Sequence, residues 1–87
     1  MEKKDKSFLE NYIKENKQNA GLFVIFHIRE IETKTNFRCP EGNKKNDYTK
    51  ACWLLATFQR YKIYVNDGDN EIKDMIYLTK IAMEVLR

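Results

Sequence analysis

The sequence of 87 residues has few of the residues that mark repetitive or unstructured chains, with three glycines and one proline. Collagen-like, linker-like and disordered proteins need much higher glycine, proline or polar content. This chain is instead 43% hydrophobic and contains five Phe, five Tyr and one Trp. We therefore expect it to fold, and residues 1 to 87 fit one compact domain.

Long hydrophobic runs are also missing. Apolar runs such as Leu22 to Phe26, with five residues, are short, whereas a helix needs about 20 to cross a bilayer. The N-terminal residues Met1 to Lys6 are mostly charged and lead into no apolar stretch typical of a signal peptide. These features predict no membrane span and a cytoplasmic location.

The residues that most often carry catalysis or bind metals are scarce. Ser7 is the only serine, His27 is the only histidine, and Cys39 and Cys52 lie thirteen positions apart. No pair has the close spacing that structural zinc sites usually show, and no glycine-rich nucleotide-binding motif occurs. We expect no catalytic residue, no metal and no cofactor, and we expect His27 to be a packed, hydrogen-bonded side chain. An enzyme or metal protein centred on His27 and the two cysteines is the third functional hypothesis.

Three segments are predicted to be helical. Ser7 and Glu10 have the spacing of a capping box, which predicts a helix over about residues 8 to 18 that ends before Gly21. Apolar residues at helical spacing predict a second helix over residues 48 to 60, capped by Asn46 or Asp47. A third helix is predicted after Asn70. Its predicted buried face consists of Ile72, Met75, Ile76, Ile81, Ala82, Val85 and Leu86.

Two segments are predicted to form strands. From Glu30 to Cys39 the side chains alternate with a period of two, and residues 22 to 28 are rich in β-branched and aromatic types. Together they predict a hairpin, with a helix over residues 22 to 33 as the alternative. Residues 61 to 65 predict a short strand, with an extension of the second helix to Val65 as the alternative. The predicted fold is a small α+β domain of order α-β(hairpin)-α-β-α, its helices packed on one face of a two- or three-stranded sheet.

The middle of the chain concentrates basic and aromatic residues. Residues 29 to 62 contain eight basic and four acidic side chains, whereas the whole chain carries a net charge of +3. Basic groups neutralise phosphates, aromatic rings stack on bases, and aromatic residues also anchor protein interfaces. The candidate binding residues are Arg38, Lys44, Lys45, Tyr48, Lys50, Trp53, Arg60, Lys62 and Tyr64.

The leading functional hypothesis is a small non-catalytic binding protein that acts through contacts with another protein or with itself as a homodimer. Its small size and its richness in lysine and asparagine favour a regulator or inhibitor encoded by a phage or another mobile element. The second hypothesis is a nucleic-acid-binding module that uses the basic and aromatic residues of segment 37 to 64.

Overall fold

The structure, a computed structural model, describes the backbone of residues 3–61 and 69–87, and the side chains of residues 6–60 and 71–87. Four α-helices make up most of these two ranges. They are α1 (Lys3–Glu15), α2 (Lys17–Lys34), α3 (Asp47–Tyr61) and α4 (Asp69–Leu86), with a short 3₁₀ helix at Glu41–Asn43 before α3. The two ranges contain no strand, so the predicted α+β fold is wrong and the chain forms a helical bundle.

Helices α2 and α4 form the centre of the bundle. They pack against each other, and each also packs against α1 and α3. In the part of the chain that the structure describes, α1 and α3 do not contact each other, so they lie on opposite sides of the central pair. The buried apolar core comprises Ile13, Ala20, Phe23, Val24, Ile28, Ile31, Cys39, Ala51, Leu54, Phe58, Ile72, Met75, Leu78 and Ala82.

Helix α2 covers residues 22 to 34 of the predicted hairpin, and residues 35 to 39 follow it without regular secondary structure. Its buried residues Ala20, Val24, Ile28 and Ile31 recur every three or four positions, which is the spacing of one helical face. The alternative helix over residues 22 to 33 was therefore the better prediction. α2 ends where Thr35 adopts an extended backbone and its hydroxyl donates to the carbonyl of Ile31 at 2.7 Å.

The predicted boundaries of the first helix are also wrong. α1 begins at Lys3, so Ser7 lies within the helix and does not cap it. The helical conformation is interrupted instead at Asn16, whose extended backbone separates α1 from α2. Gly21 does not end a helix, because it is a buried residue inside α2.

The other two helix predictions are confirmed. α3 spans Asp47–Tyr61, and the side-chain oxygen of Asn46 accepts a hydrogen bond from the backbone N–H of Thr49 at 2.9 Å, as predicted for a cap. α4 spans Asp69–Leu86, so Asn70 lies within the helix instead of before it. Of its predicted inner face, Ile72, Met75 and Ala82 are buried, whereas Ile76, Ile81, Val85 and Leu86 are half-buried. Apart from Tyr61, the last residue of α3, the predicted strand over 61 to 65 lies outside the described residues. No helix in the described ranges combines the length and apolar character needed to cross a membrane.

Candidate functional site

A groove of about 600 Å³ lies between α1 and α2 on the surface of the bundle. We call it the α1–α2 groove. α1 contributes Leu9 and Tyr12, and the remaining lining residues come from α2. The complete lining is Leu9, Tyr12, Leu22, Phe23, Ile25, Phe26, His27 and Arg29.

Two large apolar side chains of the groove are exposed to solvent. Phe26 is 58% exposed and Leu22, one helical turn before it, is 49% exposed. A single exposed apolar residue is normal on a protein surface, whereas a contiguous apolar patch marks an interaction site. Leu22 and Phe26 both line the α1–α2 groove, so two large exposed apolar side chains lie together there.

The corner between α1 and α2 fixes the shape of this groove. The side-chain oxygen of Asn16 accepts the backbone N–H of Asn19 at 2.7 Å, which caps α2. The side-chain amide of Asn19 donates to the carbonyl of Tyr12 at 2.9 Å and to the carboxylate of Glu15 at 3.3 Å. One residue of α2 therefore holds the last turn of α1, and with it the groove residue Tyr12.

His27 lies at the inner side of the groove and confirms the prediction of a packed, hydrogen-bonded histidine. Its Nδ1 donates to the carbonyl of Phe23 at 2.9 Å. Its ring centroid is 4.3 Å from that of Phe23, 5.1 Å from that of Phe26 and 6.2 Å from that of Phe58. Burial lowers the pKa of His27, although the Phe23 carbonyl and the charge of Glu30 oppose this shift. The ring is therefore neutral at pH 7, which suits an apolar surface.

A second cavity of about 280 Å³, which we call the basic pocket, lies beside the Arg29 end of the groove. Ile25 and Arg29 line both cavities. The complete lining of the basic pocket is Ile25, Ile28, Arg29, Glu32, Cys39, Lys44 and Lys50. The carboxylate of Glu32 accepts the backbone N–H of Cys39 at 3.0 Å. Burial raises the pKa of the Cys39 thiol, so this thiol is protonated at neutral pH.

The structure divides the sequence-predicted binding residues among several places. Arg38, Trp53 and Arg60 border a small cavity of about 140 Å³ together with Phe37, Ala56 and Thr57. Lys44 and Lys50 border the basic pocket instead. Lys45 is exposed before α3, and Tyr48 is half-buried in its first turn. The side chains of Lys62 and Tyr64 lie outside the described residues.

Arg38 stabilises the chain segment that follows α2. Its guanidinium Nη1 donates to the carbonyls of Glu32 and Thr35, both at 3.0 Å, and to that of Phe37 at 2.8 Å. The last carbonyls of a helix have no partner within the helix, so a cation there satisfies them. Arg38 thus has a structural role in closing the end of α2.

The thiols and the carboxylates do not form a metal site in the part of the chain that is described. No group of three or more His, Cys, Asp or Glu side chains there is arranged to hold an ion. Cys39 and Cys52 are free thiols, the first buried and the second half-buried.

Sequence reasoning did not identify the α1–α2 groove. None of its lining residues belongs to the predicted binding set, which begins at Arg38. A signal was present, because Leu22, Phe26 and Arg29 lie at i, i+4 and i+7, on one side of a helix. This signal is visible only when residues 22 to 33 are interpreted as a helix.

No protein-family model matches the chain, and the comparisons with curated proteins and with solved structures gave no match.

Proposed function

We propose that the chain is a small non-catalytic binding protein whose partner is another protein, bound in the α1–α2 groove. The observation that carries this proposal is the pair of exposed side chains, Leu22 and Phe26, on the wall of a continuous apolar groove. Burying a large apolar side chain stabilises a complex by about 1.5–3 kcal/mol. Aromatic residues such as Phe26 are also enriched at the centre of protein interfaces.

The shape of the groove favours a protein over a small molecule. Small-molecule sites are concave and bury about 70–90% of the surface of their ligand. Here half of the Leu22 side chain and more than half of Phe26 remain exposed, so a small ligand would leave much of this apolar surface in water. A helix or loop of a protein would cover both walls at once.

Nucleic-acid binding is less well supported. The basic and aromatic residues of the middle segment are divided between two cavities. The Nη1 group of Arg38 donates to three backbone carbonyls. Lys44 and Lys50 lie beside the carboxylates of Glu41 and Asp47, at 3.5 and 3.7 Å. These arrangements leave no continuous basic stripe along which a phosphate backbone could lie in the described part of the chain.

The test compares two variants that each add a charge to an exposed phenylalanine. Phe26 lines the groove, whereas Phe8 is 68% exposed and does not line it. The tagged full chain, F26D and F8D are each used to capture proteins from nuclease-treated lysate of the native cell. We expect a partner that binds the wild type and F8D but not F26D, with all three chains equally helical by circular dichroism. Capture that F26D leaves unchanged, or no capture at all, would contradict the proposal.

A further inference from the structure

The α1–α2 groove and the basic pocket lie next to each other, the first lined mainly by apolar side chains and the second partly by cationic ones. Ile25 and Arg29 line both cavities, and Leu22 and Phe26 precede Arg29 on the same helix. At a rise of 1.5 Å per residue, Leu22 and Arg29 are about 10 Å apart along the helix axis. A partner segment two to three turns long would therefore contact both ends.

The cationic end carries an excess of positive charge. Arg29, Lys44 and Lys50 line the basic pocket together with one carboxylate, that of Glu32. Arg29 is exposed and forms no salt bridge with any residue that the structure describes. Lys44 and Lys50 lie 3.5 and 3.7 Å from the carboxylates of Glu41 and Asp47, which partly compensate their charges, so Arg29 carries the uncompensated charge of this end. This end is therefore complementary to an acidic group.

A second copy of the chain does not supply that acidic group from the helices of the groove. All four carboxylates described on α1 and α2 are already engaged. Glu10 accepts from Lys14, Glu15 from Asn19, Glu30 pairs with Lys34, and Glu32 accepts from the backbone of Cys39. Arg29, which forms no salt bridge within the described residues, is thus complementary to a carboxylate from a different protein.

We infer that the partner binds through an acidic amphipathic segment, with its apolar side chains in the α1–α2 groove and a carboxylate on Arg29 beside Lys44 and Lys50. This inference rests on the proposed function. The apolar residues of the segment supply contact area against Leu22 and Phe26. A carboxylate can accept two hydrogen bonds from the planar Arg29 guanidinium, which fixes the direction in which the segment lies.

A displayed library of helical peptides tests the inference. Every member carries Leu or Phe at i, i+4 and i+7, and the charged positions at its ends are randomised. The library is selected on the full wild-type chain, on R29E, on F26D and on K80E, which reverses an exposed charge on α4. We expect selection on the wild type and on K80E to enrich peptides with terminal Glu or Asp. Selection on R29E should enrich peptides with terminal Lys or Arg, and selection on F26D should enrich none. An enriched acidic peptide should bind R29E about tenfold more weakly, as measured by fluorescence anisotropy.

The other outcomes separate this inference from the proposed function. Peptides enriched without a preference for acidic residues would overturn the inference but leave protein binding in the groove intact. Failure to enrich any peptide above the F26D background would overturn the inference, and capture from lysate by the wild type and F26D then decides the proposed function. Two further measurements identify other occupants. A wild-type dimer in sedimentation that F26D dissociates, or wild-type binding to anionic lipid vesicles that F26D abolishes, would each overturn the acidic-segment inference.

Discussion

The side-chain amide of Asn19 in α2 donates a hydrogen bond to the backbone carbonyl of Tyr12 in α1, at 2.9 Å. The backbone N–H of the same residue donates to the side chain of Asn16 at 2.7 Å. Asn19 thus contributes both to the end of α1 and to the start of α2, where helix termini have unpaired backbone groups. Because Tyr12 lines the α1–α2 groove, the stability of this corner and the shape of the groove depend on the same contacts.

Removing the corner asparagines should destabilise the fold. Replacing an N-cap side chain by alanine costs about 1 kcal/mol, so we expect N16A to lower the free energy of unfolding by about that amount. N19A should cost a similar amount, because a typical hydrogen bond contributes about 1 kcal/mol. Urea denaturation measures both. The control is N11A, an exposed position within α1, where alanine should be neutral or slightly stabilising. If N19A unfolded at the same urea concentration as N11A, the corner would have no stabilising role.

A close approach between α2 and α3 explains a glycine within a helix. A Cβ atom at Gly21 would lie 2.5 Å from Oδ2 and 3.2 Å from Cγ of Asp47. Alanine is about 1 kcal/mol more favourable than glycine inside a helix, but here it would displace the Asp47 carboxylate, which lies 3.7 Å from Lys50. The advantage of alanine should therefore depend on the residue at position 47.

A double-mutant cycle tests this dependence. We expect G21A to be more favourable by about 1 kcal/mol in the D47A background than in the wild type, since residues in contact show coupling of this order. Gly42 provides a matched control, because a Cβ there would meet no atom within 4 Å. G42A should therefore show no coupling with D47A. Equal effects of G21A in both backgrounds would mean that the carboxylate moves aside without cost.

The helices that could be predicted from the sequence are those whose local signals agree with their packing. In α3, Ala51, Leu54 and Phe58 recur at helical spacing, are buried, and follow the cap at Asn46. α2 lacks such a separation into a buried apolar face and an exposed polar face. Its exposed groove residues Leu22 and Phe26 stand beside buried Phe23 and Val24, so the segment is apolar on both sides and resembles a buried strand.

The apolar character of both sides of α2 also explains why the sequence indicates the basic and aromatic segment 37 to 64 as the binding site and not the α1–α2 groove. The apolar residues that form the α1–α2 groove removed the amphipathic pattern that would have identified α2 as a helix. The alternation from Glu30 to Cys39 then extends the apparent strand, although these residues form the end of α2 and the non-helical segment that follows it. Basic residues such as Arg38 and Lys44 are close in sequence, whereas packing places them at different cavities.

His27 should make stability depend on pH between neutral and mildly acidic conditions. Burial lowers its pKa below the usual value of 6.5 in the folded chain, with the Phe23 carbonyl and Glu30 acting in the opposite direction. Between the lowered folded pKa and 6.5, the unfolded chain binds more protons, so the free energy of unfolding decreases as the pH falls through this window. Above pH 6.5 this contribution is fully present. His27 is the only histidine. H27Q should therefore weaken the pH dependence of the urea midpoint between pH 7 and the region where carboxylates begin to protonate. If the urea midpoints of the wild type and H27Q changed with pH in parallel, the pKa of His27 would be the same in the folded and unfolded chain.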